Sequence, residues 1–350
     1  MKKSLKYVSS LLFSFLITVS CKQSATTEPV IPAQLSADNT EIDHLPSWND
    51  TQAKKNIIAY VEDVTDQASP NYIEVQDRIA TFDNDGCLWT EQPAYFQLLF
   101  AIDRIKALAS QHPEWKNKQP FKAVLENDMK TIMASGHKGL EEILMLSHAG
   151  ITTEEFEQVV QDWVKTARHP TKNVPYDQLV YQPMLELLDY LRANNFKTFI
   201  VSGGGVEFMR AIVQDVYKIP ADQIVGSSVK TVFDYNNGNP VIRRLPEIDF
   251  IDDKEGKPVG INRFIGKKPV FAAGNSDGDL QMLQYTASNK KKNFELYIHH
   301  TDSAREWAYD KGSPIGGLEK GLEEATKNGW TVVDMKNDWK VIYPFELNKQ

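Results

Sequence analysis

The sequence predicts an α/β protein, in which a Rossmann-like parallel sheet is covered by helices on both faces. Short apolar runs that are typical of buried strands alternate with segments whose apolar residues recur at helical spacing. Such an order is typical of sheets built from strand–helix–strand units. The composition agrees, because 41% hydrophobic residues in a chain of 350 are enough for a sizeable core.

The first elements precede a long helical segment. Apolar spacing favours helices over residues 47–65 and 93–109, with a buried strand, 79–82, between them. From there to residue 176 helical patterns dominate, including the capping box Thr152-x-x-Glu155, and no strand-like pattern occurs. We therefore expect a helical cap inserted into an α/β core. The expected boundaries are 93–176 for the cap and 46–92 with 177–350 for the core.

Strands and helices alternate again after residue 176. The predicted strands are residues 197–201, 270–273 and 294–299, and the predicted helices are 184–193, 206–217, 258–265, 279–285, 304–309 and 318–327. Asn237-Gly238 is a turn signature that predicts a hairpin between residues 229–233 and 241–245. Residues 330–343 are expected to pack on the domain as a tail.

The N-terminal residues predict export and a lipid anchor. Three lysines among the first six residues precede an apolar stretch, 8–19, that is too short to span a bilayer. Ser20 then precedes Cys21, which resembles a bacterial lipoprotein signal with Cys21 as the lipidated residue; an ordinary cleaved signal or an uncleaved anchor is the alternative. We expect a signal over residues 1–21, a flexible tether over 22–45, and a membrane-anchored protein that faces the periplasm.

The charge balance argues against nucleic acid as a partner. The formal net charge is −8 at pH 7, and no basic stripe compensates for it. An anionic ligand would have to be bound by local charge, either by a metal ion or by a few Lys and Arg side chains.

Two carboxylates follow the first predicted strand. Asp83 and Asp85 lie where the strand gives way to a glycine turn, so both can serve one reaction centre. Asp83 can attack a phosphoryl group as a nucleophile, and Asp85 can protonate the leaving oxygen. The pair also forms a hard oxygen site that suits Mg²⁺.

Two other strand ends carry complementary chemistry. Ser202 is followed by Gly203 and Gly204 beside a helix N-terminus, which is a phosphate-binding arrangement. The loop 274–279 offers oxygen ligands at the start of another helix. Ligands bind at the carboxyl ends of the strands in such sheets, so we expect these loops to meet. The lysines between them that could neutralise a phosphate are Lys254, Lys257, Lys267 and Lys268.

This order of motifs resembles the haloacid dehalogenase superfamily, and within it the phosphoserine-phosphatase-type enzymes. Residues 82–86 are similar to their first motif, 201–204 to their second and 274–283 to their fourth, within a resemblance that covers about 73–285. The resemblance implies that Asp83 forms an aspartyl-phosphate. It also implies that Asp85 acts first as the acid and then as the base that activates water.

The resemblance also implies the remaining site residues. It assigns phosphate binding to Ser202, Gly203 and Lys257, with Lys267 as the alternative lysine, contact with a substrate ammonium to Glu91, and Mg²⁺ binding to Asp83, Asp85, Asn275 and Asp279. Asn275 stands where the family usually has Asp, so it brings no charge to the metal. We expect Asp277, an additional acid, to compensate.

The sequence thus predicts an Mg²⁺-dependent phosphatase, a phosphomonoester hydrolase that acts on a small phosphorylated metabolite; a phosphoserine-like compound is one candidate. One alternative is a phosphotransferase or pyrophosphatase that uses the same aspartyl chemistry. Another is a catalytically weak lipoprotein that binds a phosphorylated ligand, which the amide of Asn275 favours.

Overall fold

An eight-stranded sheet organises the part of the chain that the computed structural model describes, residues 43–236 and 238–349. The strands are β1 (Ile79–Phe82), β2 (Lys197–Gly205), β3 (Ile224–Asn236), β4 (Asn239–Phe250), β5 (Phe271–Gly274), β6 (Phe294–Thr301), β7 (Ala308–Tyr309) and β8 (Thr331–Asp334). Their order across the sheet is β4-β3-β2-β1-β5-β6-β7, and β8 also pairs with β6.

Parallel pairs form the centre of the sheet. β1 lies between β2 and β5 and is parallel to both, and the pairs β2–β3, β5–β6 and β6–β8 are also parallel. The pairs β3–β4 and β6–β7 are antiparallel. Parallel neighbours need crossover connections, which helices supply here. The predicted α/β class is confirmed, and an antiparallel hairpin extends one edge.

Helices connect most of the strands. They are α1 (Gln52–Thr65), α2 (Phe96–Leu108), α3 (Phe121–Leu125), α4 (Met129–Ala134), α5 (Gly136–His148), α6 (Thr153–Thr166), α7 (Gln182–Ala193), α8 (Val206–Tyr217), α9 (Gly256–Gly260), α10 (Leu280–Ala287), α11 (Lys320–Asn328) and α12 (Met335–Asp338). Six of them, α2 to α7, lie between β1 and β2 along the chain, and the first five, α2 to α6, are called the inserted helices below. The predicted capping box is present at α6, where Thr152 and Glu155 each bond the other's backbone N–H.

Apolar side chains cover both faces of the sheet. Successive residues of a strand point to opposite faces. In β5, Phe271 and Ala273 belong to one buried cluster that includes residues of α1 and α7. Ala272, between them, belongs to a second cluster with Met282 and Leu283 of α10. Because successive residues of a strand point to opposite faces, helices pack on both faces of the sheet, as predicted.

The inserted helices have an apolar cluster of their own. Leu98, Trp115, Phe121 and Ile143 are buried in it together with Ile315 from the C-terminal half. The inserted helices are also joined to the β3–β4 hairpin, because the loop between α5 and α6 exchanges backbone hydrogen bonds with β4 at distances of 3.0 and 3.1 Å. The hairpin and the inserted helices can therefore wall a common cavity.

Three segments differ from the prediction. Residues 304–309, predicted as a helix, contain turns and β7, and the predicted tail contains β8. β7 has only two residues, too few to show a period in the sequence, and β8 joins the sheet by pairing with β6. Leu45, predicted to lie in the tether, is fully buried, and its carbonyl accepts a hydrogen bond from Lys54 Nζ at 3.0 Å.

Part of the prediction lies outside the described residues. This applies to the signal, to the lipidated Cys21, to residues 22–42 of the tether and to the turn residue Asn237. The lipid anchor and the periplasmic location stay predictions. Over residues 43–236 and 238–349, no helix is both long and apolar enough to cross a membrane.

Glu295 should make the stability of this fold depend on pH. It lies in β6, is only 6% exposed, and its Oε1 has no hydrogen-bond partner in the described part of the chain. Burial raises the pKa of Glu295 to about 8. Because the folded chain holds this proton more tightly, the contribution of Glu295 to stability is complete at acid pH and is lost as the pH rises towards 8.

We expect Glu295→Gln to remove this contribution to the pH dependence. Between pH 5 and 8, one proton corresponds to a slope of about 1.4 kcal/mol for each pH unit in the free energy of unfolding. Urea denaturation at several pH values measures the slope, with Glu62→Gln as the matched control at an exposed site. Equal slopes in the Glu295→Gln variant and the unmodified protein would contradict the expectation.

Candidate active site

Three loops meet around the side chain of Lys257. Its Nζ donates to Asp83 Oδ1 at 2.7 Å, to Asp279 Oδ1 at 2.6 Å and to the carbonyl of Val201 at 2.8 Å. Asp83 follows β1, Asp279 lies beyond the end of β5 and Val201 lies within β2, and these three strands are neighbours in the sheet. The parallel direction of the strands thus brings together residues that are far apart along the chain.

The structure distinguishes the two candidate lysines. Lys257, near the start of α9, is 2% exposed and lies at the carboxyl end of β1. Lys267 instead donates to Gln76 O and Asp77 Oδ1, beside the amino end of β1. Since the reactive loops are all at the carboxyl end, Lys257 is the lysine that belongs to the site.

Burial and charge shift the pKa values of this cluster. Burial raises the pKa of Asp83 to about 7; the charge of Asp279 acts in the same direction, whereas Lys257 opposes it. Burial by itself lowers the pKa of Lys257, but Asp279 and Asp83 outweigh that effect and raise it. Lys257 is therefore a permanent positive charge inside the protein, held by two carboxylates.

Asp85 is oriented by Trp89. The indole Nε1 donates to Asp85 Oδ1 at 2.8 Å. Burial raises the pKa of Asp85 to about 6, and this hydrogen bond opposes the shift. A carboxyl group with a pKa near neutrality is suited to give and to take a proton. No sequence motif indicates this role of Trp89, because none marks an indole as the donor to a carboxylate four residues earlier.

Residues 202–205, predicted as a phosphate-binding loop, form the end of β2 instead and lie beside Asp85. Ser202 Oγ accepts a hydrogen bond from Gly204 N at 3.1 Å, and α8 begins directly after this segment. A Cβ atom on Gly204 would lie 3.5 Å from Asp85 Oδ2, which shows how closely the two segments approach. Gly205 N donates to Gln97 Oε1 at 2.7 Å, so α2 holds the segment through a residue that the sequence analysis did not single out.

Asn275 faces Glu91. Its Nδ2 donates to Glu91 Oε1 at 2.8 Å, and Tyr309 donates its hydroxyl to the same oxygen at 2.8 Å. Burial raises the pKa of Glu91. One carboxylate oxygen of Glu91 thus serves Asn275 and Tyr309, while the side chain also lines the cavity described below. The contact of Glu91 with a substrate ammonium stays a prediction.

Asp279 uses both carboxylate oxygens inside the protein. Oδ1 accepts from Lys257, and Oδ2 accepts from the backbone N–H groups of Asn275 and Ser276 at 2.9 and 3.0 Å. These contacts suit a residue that positions the lysine and its own loop. They give no support to the predicted role of Asp279 as a Mg²⁺ ligand.

The expectation that Asp277 compensates for Asn275 is wrong. Its Oδ1 accepts hydrogen bonds from the backbone N–H groups of Glu319 and Gly321 at 3.0 and 2.8 Å. These donors lie at the beginning of α11, where a negative charge is favourable. Asp277 is a capping residue of a remote helix, a role that its position in the motif conceals.

Residues of the C-terminal strands contact the loop that follows β1. His300 Nε2 lies 2.8 Å from the carbonyl oxygen of Gly86, and its Nδ1 lies 3.2 Å from Glu306 Oε2. The ring of Tyr309 stacks on His300 with 4.3 Å between centroids. Sequence reasoning missed these residues, because the recognised motifs end before them and 214 positions separate His300 from Gly86.

The oxygens at the site fit a hard divalent cation. Asp83 and Asp85 supply oxygen donors, and Asn275 Oδ1 is buried without a hydrogen-bond partner in the described part of the chain. A buried oxygen without a partner is rare and calls for a ligand or a water. Within the same residues no group of three or more His, Cys, Asp or Glu side chains could hold a metal ion. A cation would therefore need the amide oxygen of Asn275 beside the carboxylates.

A cavity of about 390 Å³ adjoins these groups. The predicted residues that line it are Asp83, Asp85, Glu91, Ser202, Gly203, Lys257 and Asp279. Most of the rest of its wall comes from α2, α5 and the β3–β4 hairpin, and α8 adds Glu207. Charged residues at the carboxyl end of the sheet thus line one side of the cavity. The inserted helices and the hairpin line the other side.

The capping role of Asp277 can be measured. Asp277→Ala should lower the free energy of unfolding by about 1 kcal/mol, because the start of α11 loses its acceptor. Asp277→Asn, the matched control, keeps one side-chain oxygen and should cost less. Urea denaturation compares the variants, and an Asp277→Ala variant as stable as the unmodified protein would show that the cap contributes nothing.

Comparisons with known proteins agree with this fold. A family model described as haloacid dehalogenase-like hydrolase matches residues 80–284, more than half of the chain. No functionally curated protein matches the sequence. A solved structure of a functionally unknown protein from Anaerococcus prevotii DSM 20548 is 16% identical, with a TM-score of 0.52, over 83% of this chain and 94% of that chain. This likeness shows a shared fold.

Two other solved structures are more distant. A protein of unknown function from Bordetella pertussis Tohama I is 14% identical, with a TM-score of 0.47, over 74% of this chain and 98% of that chain. A probable phosphoserine phosphatase from Vibrio cholerae is also 14% identical, with a TM-score of 0.37, over 75% of this chain and 70% of that chain.

Proposed function

The chain belongs to the haloacid dehalogenase-like hydrolase family, and from this premise we propose that it is a Mg²⁺-dependent phosphatase that cleaves phosphate monoesters through a covalent intermediate on Asp83. The observation that carries the proposal is the contact of Lys257 Nζ with Asp83 Oδ1, 2.7 Å apart and buried. A fixed positive charge beside a nucleophilic carboxylate provides the electrostatic stabilisation that phosphoryl transfer requires.

In the first step Asp83 attacks phosphorus, and the bond from phosphorus to the ester oxygen breaks. Asp85, in its protonated form, donates its proton to the leaving alcohol oxygen. Lys257 and the hydroxyl of Ser202 stabilise the charge on the phosphoryl oxygens. The products of this step are the free alcohol and a phosphorylated Asp83.

In the second step Asp85, now ionised, accepts a proton from a water molecule. That water attacks the phosphorus of the aspartyl-phosphate, and the bond to Asp83 breaks, which releases inorganic phosphate. Trp89 supports both steps, because its hydrogen bond keeps the Asp85 carboxyl in one orientation while the proton is given and regained.

Mg²⁺ would be held by Asp83, Asp85 and the Oδ1 atom of Asn275, and when bound it would neutralise part of the phosphoryl charge. Asn275 contributes an oxygen without charge. The hydrogen bond from its Nδ2 to Glu91 fixes which amide atom faces the site, as partners behind a ligand commonly do. Glu91 thus places a carboxylate directly behind the neutral ligand.

A second candidate is a protein that binds a phosphorylated ligand with little turnover, and the missing charge at Asn275 favours it. A phosphotransferase or a pyrophosphatase would use the same two steps on other substrates. The inserted helices serve as a cap in all these proposals, which their place beside the cavity supports.

The nucleophile is tested with Asp83→Asn. This variant should lose hydrolysis of p-nitrophenyl phosphate, because an amide cannot form the acyl phosphate, and it should unfold at nearly the same temperature as the unmodified full-length protein. Asp50→Asn, at a side chain that is 80% exposed, is the control and should stay fully active. Undiminished hydrolysis by Asp83→Asn would refute the assignment, and hydrolysis that survives EDTA would refute the metal requirement.

The metal site is tested by binding. Asn275→Ala should weaken Mg²⁺ binding by at least about tenfold in titration calorimetry, because an oxygen ligand is lost. Asn275→Asp should strengthen binding, since it adds a negative charge. Asn71→Ala, at an exposed asparagine, is the matched control. If Asn275→Ala binds Mg²⁺ as the unmodified protein does, Asn275 is not a ligand.

A further inference from the structure

The wall that the inserted helices and the hairpin contribute to the active-site cavity is largely apolar. Its apolar residues come from α2, α5, β3 and β4 and include Leu98, Leu144, Met145, Val229, Ile248 and Phe250. The groups that would bind a phosphoryl oxygen lie instead in β2 and α9, beside the carboxyl end of β1. A substrate that occupies the whole cavity must therefore present its phosphate to one part and an apolar group to the other.

Negative charge prevails among the ionisable groups of the cavity. Besides Asp83, Asp85 and Asp279, its lining contains the carboxylates of Glu91, Glu141, Glu207 and Asp253, whereas its cations are Lys257 and Arg244. Lys257 already contacts Asp83 and Asp279 and is needed for the phosphoryl group. A second anionic group on a substrate could thus be matched only by Arg244.

Arg244 is already matched within the protein. Its Nη1 donates to Glu207, and its Nε donates to the carbonyl of His148 at 2.9 Å. The guanidinium group also lies over the ring of Phe156 at 3.9 Å, and the side chain is only 2% exposed. A substrate carboxylate would have to compete with Glu207 for this cation, and a buried charge without its own partner is strongly unfavourable.

We propose that the substrate is the phosphate monoester of an apolar alcohol that carries no second anionic group. The inference rests on the proposed phosphatase function and narrows it. It disfavours phosphoserine, whose carboxylate lies two bonds from the ester carbon and would meet a cavity lining in which carboxylates outnumber cations.

The substrate class is tested with the unmodified full-length protein. kcat/KM should rise about fourfold for each methylene added from ethyl to hexyl phosphate, until the cavity is filled. Phosphoserine should be at least about tenfold poorer than phosphoethanolamine, which lacks only the carboxylate. Values that do not change with chain length, or phosphoserine as the best ester of the set, would overturn the inference.

A substitution tests whether the apolar wall causes the preference for hexyl phosphate over phosphoserine. Met145→Lys places a cation there, so the ratio of kcat/KM for hexyl phosphate to that for phosphoserine should fall at least about tenfold. Met129→Lys is the matched control, because Met129 is an exposed methionine of α4 outside the cavity, and the ratio should not change in it. A Met145→Lys variant with an unchanged ratio would overturn the inference.

The outcomes separate this inference from the proposed function. If esters are hydrolysed and phosphoserine is the best of them, the phosphatase function stands and the inference fails. If no ester is hydrolysed, the phosphatase function fails, and binding then decides the inference. Hexylphosphonate should raise the unfolding temperature more than ethylphosphonate if the apolar wall binds the ligand, and equal effects would overturn the inference.

Discussion

The buried contact of Lys257 with two carboxylates is the interaction on which the candidate site depends. A lysine that is 2% exposed is tolerated because Asp83, Asp279 and the carbonyl of Val201 surround its Nζ. Removal of both carboxylates would leave the charge of the lysine unmatched in a medium of low dielectric constant. The same contact joins the loops of three neighbouring strands, so the reactive geometry and the local stability of the sheet end are held by one side chain.

Residues from both sides of the sheet fix the groups around this contact. Gln97 of α2 bonds the end of β2, and Trp89 bonds Asp85. From the C-terminal strands, Tyr309 bonds Glu91 and His300 bonds the carbonyl of Gly86. Each reactive group therefore has a partner that limits its rotation, which is the form of preorganisation that catalysis by electrostatics requires.

Different parts of the fold carry the reactive groups and the cavity wall that would select the substrate. The carboxylates lie at the carboxyl ends of the parallel strands and the lysine lies in α9, whereas the inserted helices and the β3–β4 hairpin provide the apolar wall. Arg244 of the hairpin is paired with Glu207 of α8. A chain with a net charge of −8 can thus receive an anionic phosphate, because a single buried cation supplies the local field. The same excess of carboxylates disfavours a second anionic group on the ligand.

The sequence by itself determined the α/β class, the inserted helical segment and the three loops that meet, because apolar periodicity and strand-end motifs are local patterns. It also narrowed the candidate lysines to Lys257 and Lys267, and the structure then placed Lys257 beside Asp83. Only the tertiary structure decided that Asp277 caps α11, that Trp89 serves Asp85, and that β7 and β8 join the sheet. Asp277 and the two strands depend on contacts with distant segments, and the contact of Trp89 with Asp85, although local, belongs to no sequence pattern.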